Sequence, residues 1–130
     1  MSSRVQPLKR SIYILGAGSF MRENKFQSDL IRELKERLPG CLVMKLDASY
    51  IQAIPDLLVL YRNKWAVLEC KRSEAAFRKS LKDNPNQLYY VNLLDGMSFA
   101  SFIFPENKED VLYDLERSFK VKRHTRSPKS

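Results

Sequence analysis

Asp56, Glu69 and Lys71 are the residues of this chain whose types and spacing could do chemistry. Asp56 follows Pro55 and leads into Leu57-Leu58-Val59-Leu60-Tyr61, an apolar run. Trp65-Ala66-Val67-Leu68, a second such run, leads into Glu69-Cys70-Lys71. Two strands joined by a tight turn would bring both acids to one end of a sheet. With a two-residue turn at Arg62-Asn63, Tyr61 pairs with Lys64, and counting outward sets Asp56 opposite Glu69; a three-residue turn would shift the pairing by one and keep both acids at the same end of the sheet. Side chains alternate along a strand, so Glu69 and Lys71 share one face while Leu68 and Cys70 share the other. Carboxylate oxygens are hard ligands suited to Mg²⁺ or Mn²⁺. A divalent ion activates water and neutralises a phosphate oxygen. A lysine beside it can orient or deprotonate that water, or stabilise developing negative charge. The pattern therefore suits phosphodiester hydrolysis, with Asp56 and Glu69 as metal ligands and the backbone carbonyl of Cys70 as a further candidate oxygen.

The elements that must position these groups can be read outward from the hairpin. From about Arg22 to Arg37, Phe26, Leu30, Leu34 and Leu38 recur at helical spacing, and Pro39-Gly40 stops the helix. Glu23 lies within about 20° of the centre of that apolar stripe at 100° per residue. It is the one acid of the helix expected to face inward, able to complete the metal shell directly or through a water. Cys41–Leu46 reads as a strand and 47–54 as a loop. Residues 72–86 read as a polar loop with a short helical piece. Asn84-Pro85 opens a helix, with Asn84 as cap, that ends at Gly96. On it Gln87 and Tyr90 share the inward face with Val91 and Leu94. A buried-face glutamine needs a polar partner, so Gln87 is expected to hold the lysine, a metal-bound water or a phosphate, with Tyr90 bracing it. Phe99–Phe104 is a strand, and Pro105-Glu106 opens a last helix through Val111, Leu112, Leu115 and Phe119. The order αβββαβα implies one α/β domain with a mixed central sheet flanked by helices.

Ile12–Leu15 reads as a short strand before Gly16-Ala17-Gly18-Ser19. Strand, Gly-x-Gly, helix is how a dinucleotide-binding unit begins, but Met21 stands where the third glycine belongs. Residues 1–21 are thus expected to be an N-terminal extension, 22–119 the domain and 120–130 a loose basic tail.

Composition narrows the partners. A chain of 130 residues with net charge +8 and 44% hydrophobic content is long enough for one packed core and favours a polyanion. Arg72, Arg78, Lys79 and Lys82 follow the acids directly, and with Tyr90 they are candidate nucleic-acid contacts. No apolar run reaches membrane-spanning length, and none makes a signal-peptide core, so the expected location is the cytoplasm. Cys41 and Cys70 lack a zinc spacing and are expected to be reduced core residues. No organic cofactor is implied.

Pro55-Asp56, twelve intervening residues, then Glu69-Cys70-Lys71 resembles the signature of the PD-(D/E)xK nuclease superfamily. The order αβββαβ is similar to its restriction-endonuclease-like core. Glu23 resembles its helical glutamate, and Gln87-Leu88-Tyr89-Tyr90 its Gln-x-x-Tyr element. The stretch from about Arg22 to Phe119 is similar to small stand-alone phage-type VRR-NUC nucleases, which are Holliday-junction-resolvase-like and often dimeric. Ala53 departs from the pattern, since glycine often stands there. The resemblance implies a Mg²⁺- or Mn²⁺-dependent endonuclease acting on DNA, with branched or junction DNA first among substrates, in a bacterial cell or phage-infected host. A non-catalytic nucleic-acid-binding module on the same fold is the competing reading, and a nucleotide-binding domain built on the glycine turn is a third.

Overall fold

The computed structural model describes residues 10–126, and the side chains of residues 23–120 within them. The elements run α1 (Arg10–Arg37), β1 (Leu42–Lys45), β2 (Leu57–Tyr61), β3 (Lys64–Cys70), α2 (Glu74–Asp83), α3 (Pro85–Met97), β4 (Phe99–Ile103) and α4 (Lys108–Arg126). The four strands form one mixed sheet in the order β1-β2-β3-β4. β1 and β3 run antiparallel to β2, while β4 runs parallel to β3. A parallel neighbour needs a long crossover, which α2 and α3 supply. The chain is therefore mixed α/β, with helices flanking a central sheet.

Alternation along the strands sorts the core into two layers. Leu57, Val59, Ala66, Leu68 and Cys70 point to one face and meet Leu30 and Leu34 of α1, Leu38 just beyond it, and Leu112, Leu115 and Phe119 of α4. Val67, Ala100 and Phe102 belong to a second cluster with Val91, against which Phe77 and Leu94 pack. Cys70 is fully buried in the first layer, so Glu69 and Lys71 belong to the opposite face, as the alternation requires.

The hairpin has the expected register. Tyr61 pairs with Lys64 and Leu57 with Leu68, so one further step outward sets Asp56 across from Glu69. The positive φ of the turn falls on Arg62, at 60°, rather than on Asn63. The Arg62 guanidinium lies over the Tyr61 ring, 4.9 Å from its centroid.

Several boundaries differ from the sequence reading. Residues 12–15 are not a strand, and Gly16–Ser19 is not a turn, because α1 runs unbroken from Arg10. A four-residue apolar run has no period of its own and suits helix or strand. The strand–turn–helix unit on which dinucleotide binding would depend is therefore not formed, and the expected boundary at residue 21 falls inside α1. Residues 1–9, part of the expected extension, lie outside the described residues.

α2 is a full helix where a loop with a short helical piece was expected. Ser73 caps it, its side chain accepting from Ala76 N at 3.1 Å. Glu74 pairs with Arg78 and Lys79 with Asp83, each four residues apart. Phe77 anchors it on Phe102 and Phe104, with ring centroids 4.9 and 5.1 Å away. Asn84 stands at the N-cap of α3 with Pro85 following, as expected, but its side chain makes no capping hydrogen bond. Its backbone N–H instead closes α2 on Ser80 O at 2.8 Å. Gly96 lies inside α3, which ends at Met97. The last helix starts at Lys108 rather than at Pro105, after a turn in which Asn107 Oδ1 accepts from Phe104 N at 2.8 Å. It continues to Arg126, so 120–126 is helical backbone and not a loose tail, and residues 127–130 lie outside the described residues. No described helix is long and apolar enough to cross a membrane. Cys41 and Cys70 are both free thiols.

Candidate active site

The sheet ends where β2 and β3 present Asp56 and Glu69. Asp56 lies just before the β2 ladder, and its Oδ2 accepts from Cys70 N at 2.8 Å. The carboxylate thus takes the place of a ladder carbonyl and is tied to the strand that carries Glu69. β4 holds the next residue, since Lys71 N donates to Ile103 O at 2.9 Å. Lys71 Nζ then bridges two groups, 2.8 Å from Gln87 Oε1 and 3.5 Å from Glu69 Oε2. The two acids and the lysine come together, and α3 contributes Gln87 to fix the ammonium.

Electrostatics set this cluster apart. Glu69 is only 4% exposed. Burial pushes its carboxyl up to about 8, the nearby charge of Asp56 adds to this, and Lys71 offsets only part. Asp56 is also raised by burial, against the Cys70 N–H and the charges of Lys71 and Lys45. Glu23 is raised by burial first and by Asp56 second, with Lys71 and Arg72 opposing. The Cys70 thiol is raised far above its ordinary value by burial and by the surrounding acids, so it stays protonated. Glu69, Asp56 and Glu23 are each held where ionisation is costly, and the charges of Lys71, Lys45 and Arg72 offset only part of that cost.

A cleft of about 250 Å³ opens beside the cluster, lined by Glu23, Lys71, Arg72, Ala76, Lys79, Ser80, Asp83 and Asn84. Arg72 and Lys79 therefore reach the site that their sequence position suggests, although Lys79 is also paired with Asp83. Arg78 and Lys82 do not line the cleft. Arg78 is 69% exposed and hydrogen-bonds Glu74 on its own helix, and Lys82 is exposed. Tyr90 is half-buried, and its ring meets Tyr89 edge-on with centroids 5.2 Å apart. No hydrogen bond braces Gln87 from Tyr90 among the described residues.

Two residues of the site escaped the sequence reading. Lys45 ends β1 and pairs in register with Leu57, which places its charge near Asp56. Gln27 lies on α1, one turn after Glu23, and is 9% exposed with no hydrogen-bond partner among the described residues. An unpaired buried amide costs about 1–3 kcal/mol, so it stands out among the apolar residues of that face.

Divalent-metal chemistry fits the donors present. Two buried carboxylates, each disfavoured as an anion by burial, are relieved by a dication, and their oxygens are hard ligands. Among the described residues, no three His, Cys, Asp and Glu side chains form a group spaced to hold an ion. An ion here would rest on Asp56 and Glu69, with Glu23 joining directly or through a water and backbone, water or phosphate oxygens completing its shell.

Comparison of the chain with protein-family models, with curated proteins and with solved structures finds no match.

Proposed function

We propose that this chain is a metal-dependent deoxyribonuclease of the PD-(D/E)xK kind. The observation that carries the reading is the pair of desolvated carboxylates, Asp56 and Glu69, held at a sheet end beside a lysine that Gln87 fixes in place. Burying acids whose charge is only partly offset destabilises a fold, and such costs concentrate at functional sites.

Each residue has a role in that chemistry. Asp56 and Glu69 hold Mg²⁺ or Mn²⁺, and Cys70 offers its backbone carbonyl. When bound, the ion supplies a water of lowered pKa and neutralises a phosphate oxygen. Lys71 orients the attacking water and stabilises the charge that develops on the phosphate. Gln87 keeps the ammonium aimed. Glu23 completes the shell directly or through a water. Arg72 and Lys79 steer the phosphate backbone into the cleft. Water adds to phosphorus and one ester P–O bond breaks, leaving an alcohol and a phosphate monoester. Branched or junction DNA is the first substrate to try, and a homodimer would suit a symmetric one.

The test is to incubate purified protein with a labelled four-way junction, a linear duplex and a single strand, each with Mg²⁺, Mn²⁺ or EDTA. Glu69→Ala and Lys71→Ala run alongside. Metal-dependent cutting, lost in both variants, is expected. Junction binding without cutting under every condition would instead favour a non-catalytic nucleic-acid-binding module.

A further inference from the structure

Gln27 is a polar side chain within an apolar stripe. At 100° per residue it stands about 20° from both Leu34 and Leu38 and about 40° from Glu23. Leu30, Leu34 and Leu38 all enter the core layer that contains Cys70, Leu57 and Leu68, the neighbours in sequence of Glu69 and Asp56. One turn toward the N-terminus, Glu23 lines the cleft and feels the charges of Asp56 and Lys71. Gln27 therefore lies between Glu23 and the core leucines, on one face of the helix.

Its chemistry is unspent. The side chain is 9% exposed, and no described group hydrogen-bonds it. The other buried polar side chains differ. Ser80 Oγ donates to Phe77 O at 2.7 Å, and Glu69 has Lys71. Gln87, the other glutamine facing the site, accepts from Lys71. An apolar residue at position 27 would continue the stripe with no unmet hydrogen bond, so packing alone does not account for glutamine. A single water can serve an enclosed amide when a second polar group lies within its reach.

We propose that Gln27 is a positioning residue of the carboxylate site, its amide hydrogen-bonding a water shared with Glu23 and thereby fixing that acid toward Asp56 and Glu69. This rests on the nuclease reading given above. The amide supplies both a donor and an acceptor, so it can serve such a water whichever way the water turns. A residue in this role costs stability and gains orientation, which separates it from a core residue.

The experiment replaces Gln27 by Leu and, separately, by Met, both apolar and near its volume. Leu30→Ala serves as a control that loosens the same helix face without touching the acids. Each protein is assayed for metal-dependent DNA cleavage well below its melting temperature, with kcat and KM separated. The expected result is that both Gln27 variants melt no lower than the parent, lose tenfold or more in kcat, and keep KM within about twofold. Leu30→Ala should melt lower and keep its kcat. The proposal is overturned if the Gln27 variants retain kcat within twofold, or if Leu30→Ala loses as much kcat as they do. Absence of cleavage by the parent protein overturns the nuclease reading itself, and this inference with it.

Discussion

Glu33 and Glu69 are the same side chain in two opposite settings. Glu33, on α1, meets Lys108 Nζ at 2.7 Å and Arg37 Nη2 at 2.7 Å. Arg37 also reaches Glu109 at 2.7 Å and Glu116 at 3.1 Å, so the network ties α1 to α4. Hydrogen bonding from Lys108 holds the Glu33 carboxyl below its ordinary value, against a smaller effect of burial. Glu69, in contrast, is pushed up to about 8 because burial and Asp56 outweigh Lys71. The first cluster satisfies its charges where water still reaches them. The second buries acids whose charge its cations offset only in part. Both clusters contain ion pairs, and the direction in which each carboxyl is shifted tells the structural network from the candidate site.

The largest expected effect comes from Glu69→Gln. Cleavage should fall by about 10³-fold or more, within the range for loss of a group acting on the transition state. Measured without metal at pH 8, the same variant should be more stable than the parent, on the order of 1–2 kcal/mol, because an ionised buried acid is gone. A variant that loses activity and stability together would place Glu69 with Glu33, among structural charges. Arg37→Ala should do the reverse. It removes three carboxylate contacts, so chemical denaturation should show a loss of about 1–2 kcal/mol, while cleavage stays within twofold. A comparable loss of cleavage would erase the distinction between the two clusters.

Acidity separates the clusters next. Glu69, Asp56 and Glu23 have folded-state values raised above those of the unfolded chain. The folded state therefore binds more protons there, and their contribution to stability is complete below the unfolded value and lost as pH rises toward 8. Glu33 is lowered, so its contribution is present above the unfolded value and lost as pH falls through the folded one. The metal-free protein should thus lose stability between pH 6 and pH 8, and Glu69→Gln should flatten that decline. Melting temperatures in EDTA at pH 5, 6, 7 and 8 would check this. A rise toward pH 8 would mean that the acids at the sheet end are paired after all.

The two clusters also differ in how far they could be read from residues alone. The Asp56–Glu69 pairing was legible because a two-residue turn sets the register of a hairpin, and period-two alternation then assigns every face. Gln87 followed from a buried-face polar residue needing a partner, which Lys71 is. Lys45 was hidden because its place depends on how β1 registers against β2, and no local rule sets that. Gln27 was passed over because a stripe is recognised by its apolar members, and the exception within it was the informative residue. α2 was underread because one phenylalanine carries its packing, while its cap and two ion pairs supply the rest. The network around Arg37 joins residues more than 70 positions apart, and charge patterning sees only the pair with Glu33, four residues away.

The smallest effect tests whether the candidate site's surroundings also carry strain. The loop from β1 to Asp56 closes on itself, since Leu46 N donates to Asp56 O at 2.8 Å. Within it Ala53 adopts φ 70°, a left-handed conformation that glycine takes freely and alanine does not. A Cβ there costs about 1–2 kcal/mol, and replacing it with glycine would return part of that as extra freedom in the unfolded chain, about 0.4–1 kcal/mol. Ala53→Gly should therefore stabilise the protein by a net amount near 0.5–1 kcal/mol, read by chemical denaturation. Cleavage should hold within twofold, because the backbone path into Asp56 is already the one glycine would take. Should Ala53→Gly stabilise the protein and slow cleavage, the alanine would be holding Asp56 more firmly than glycine can. Loop stiffness would then join buried charge as a cost this side of the molecule bears and the α1–α4 side does not.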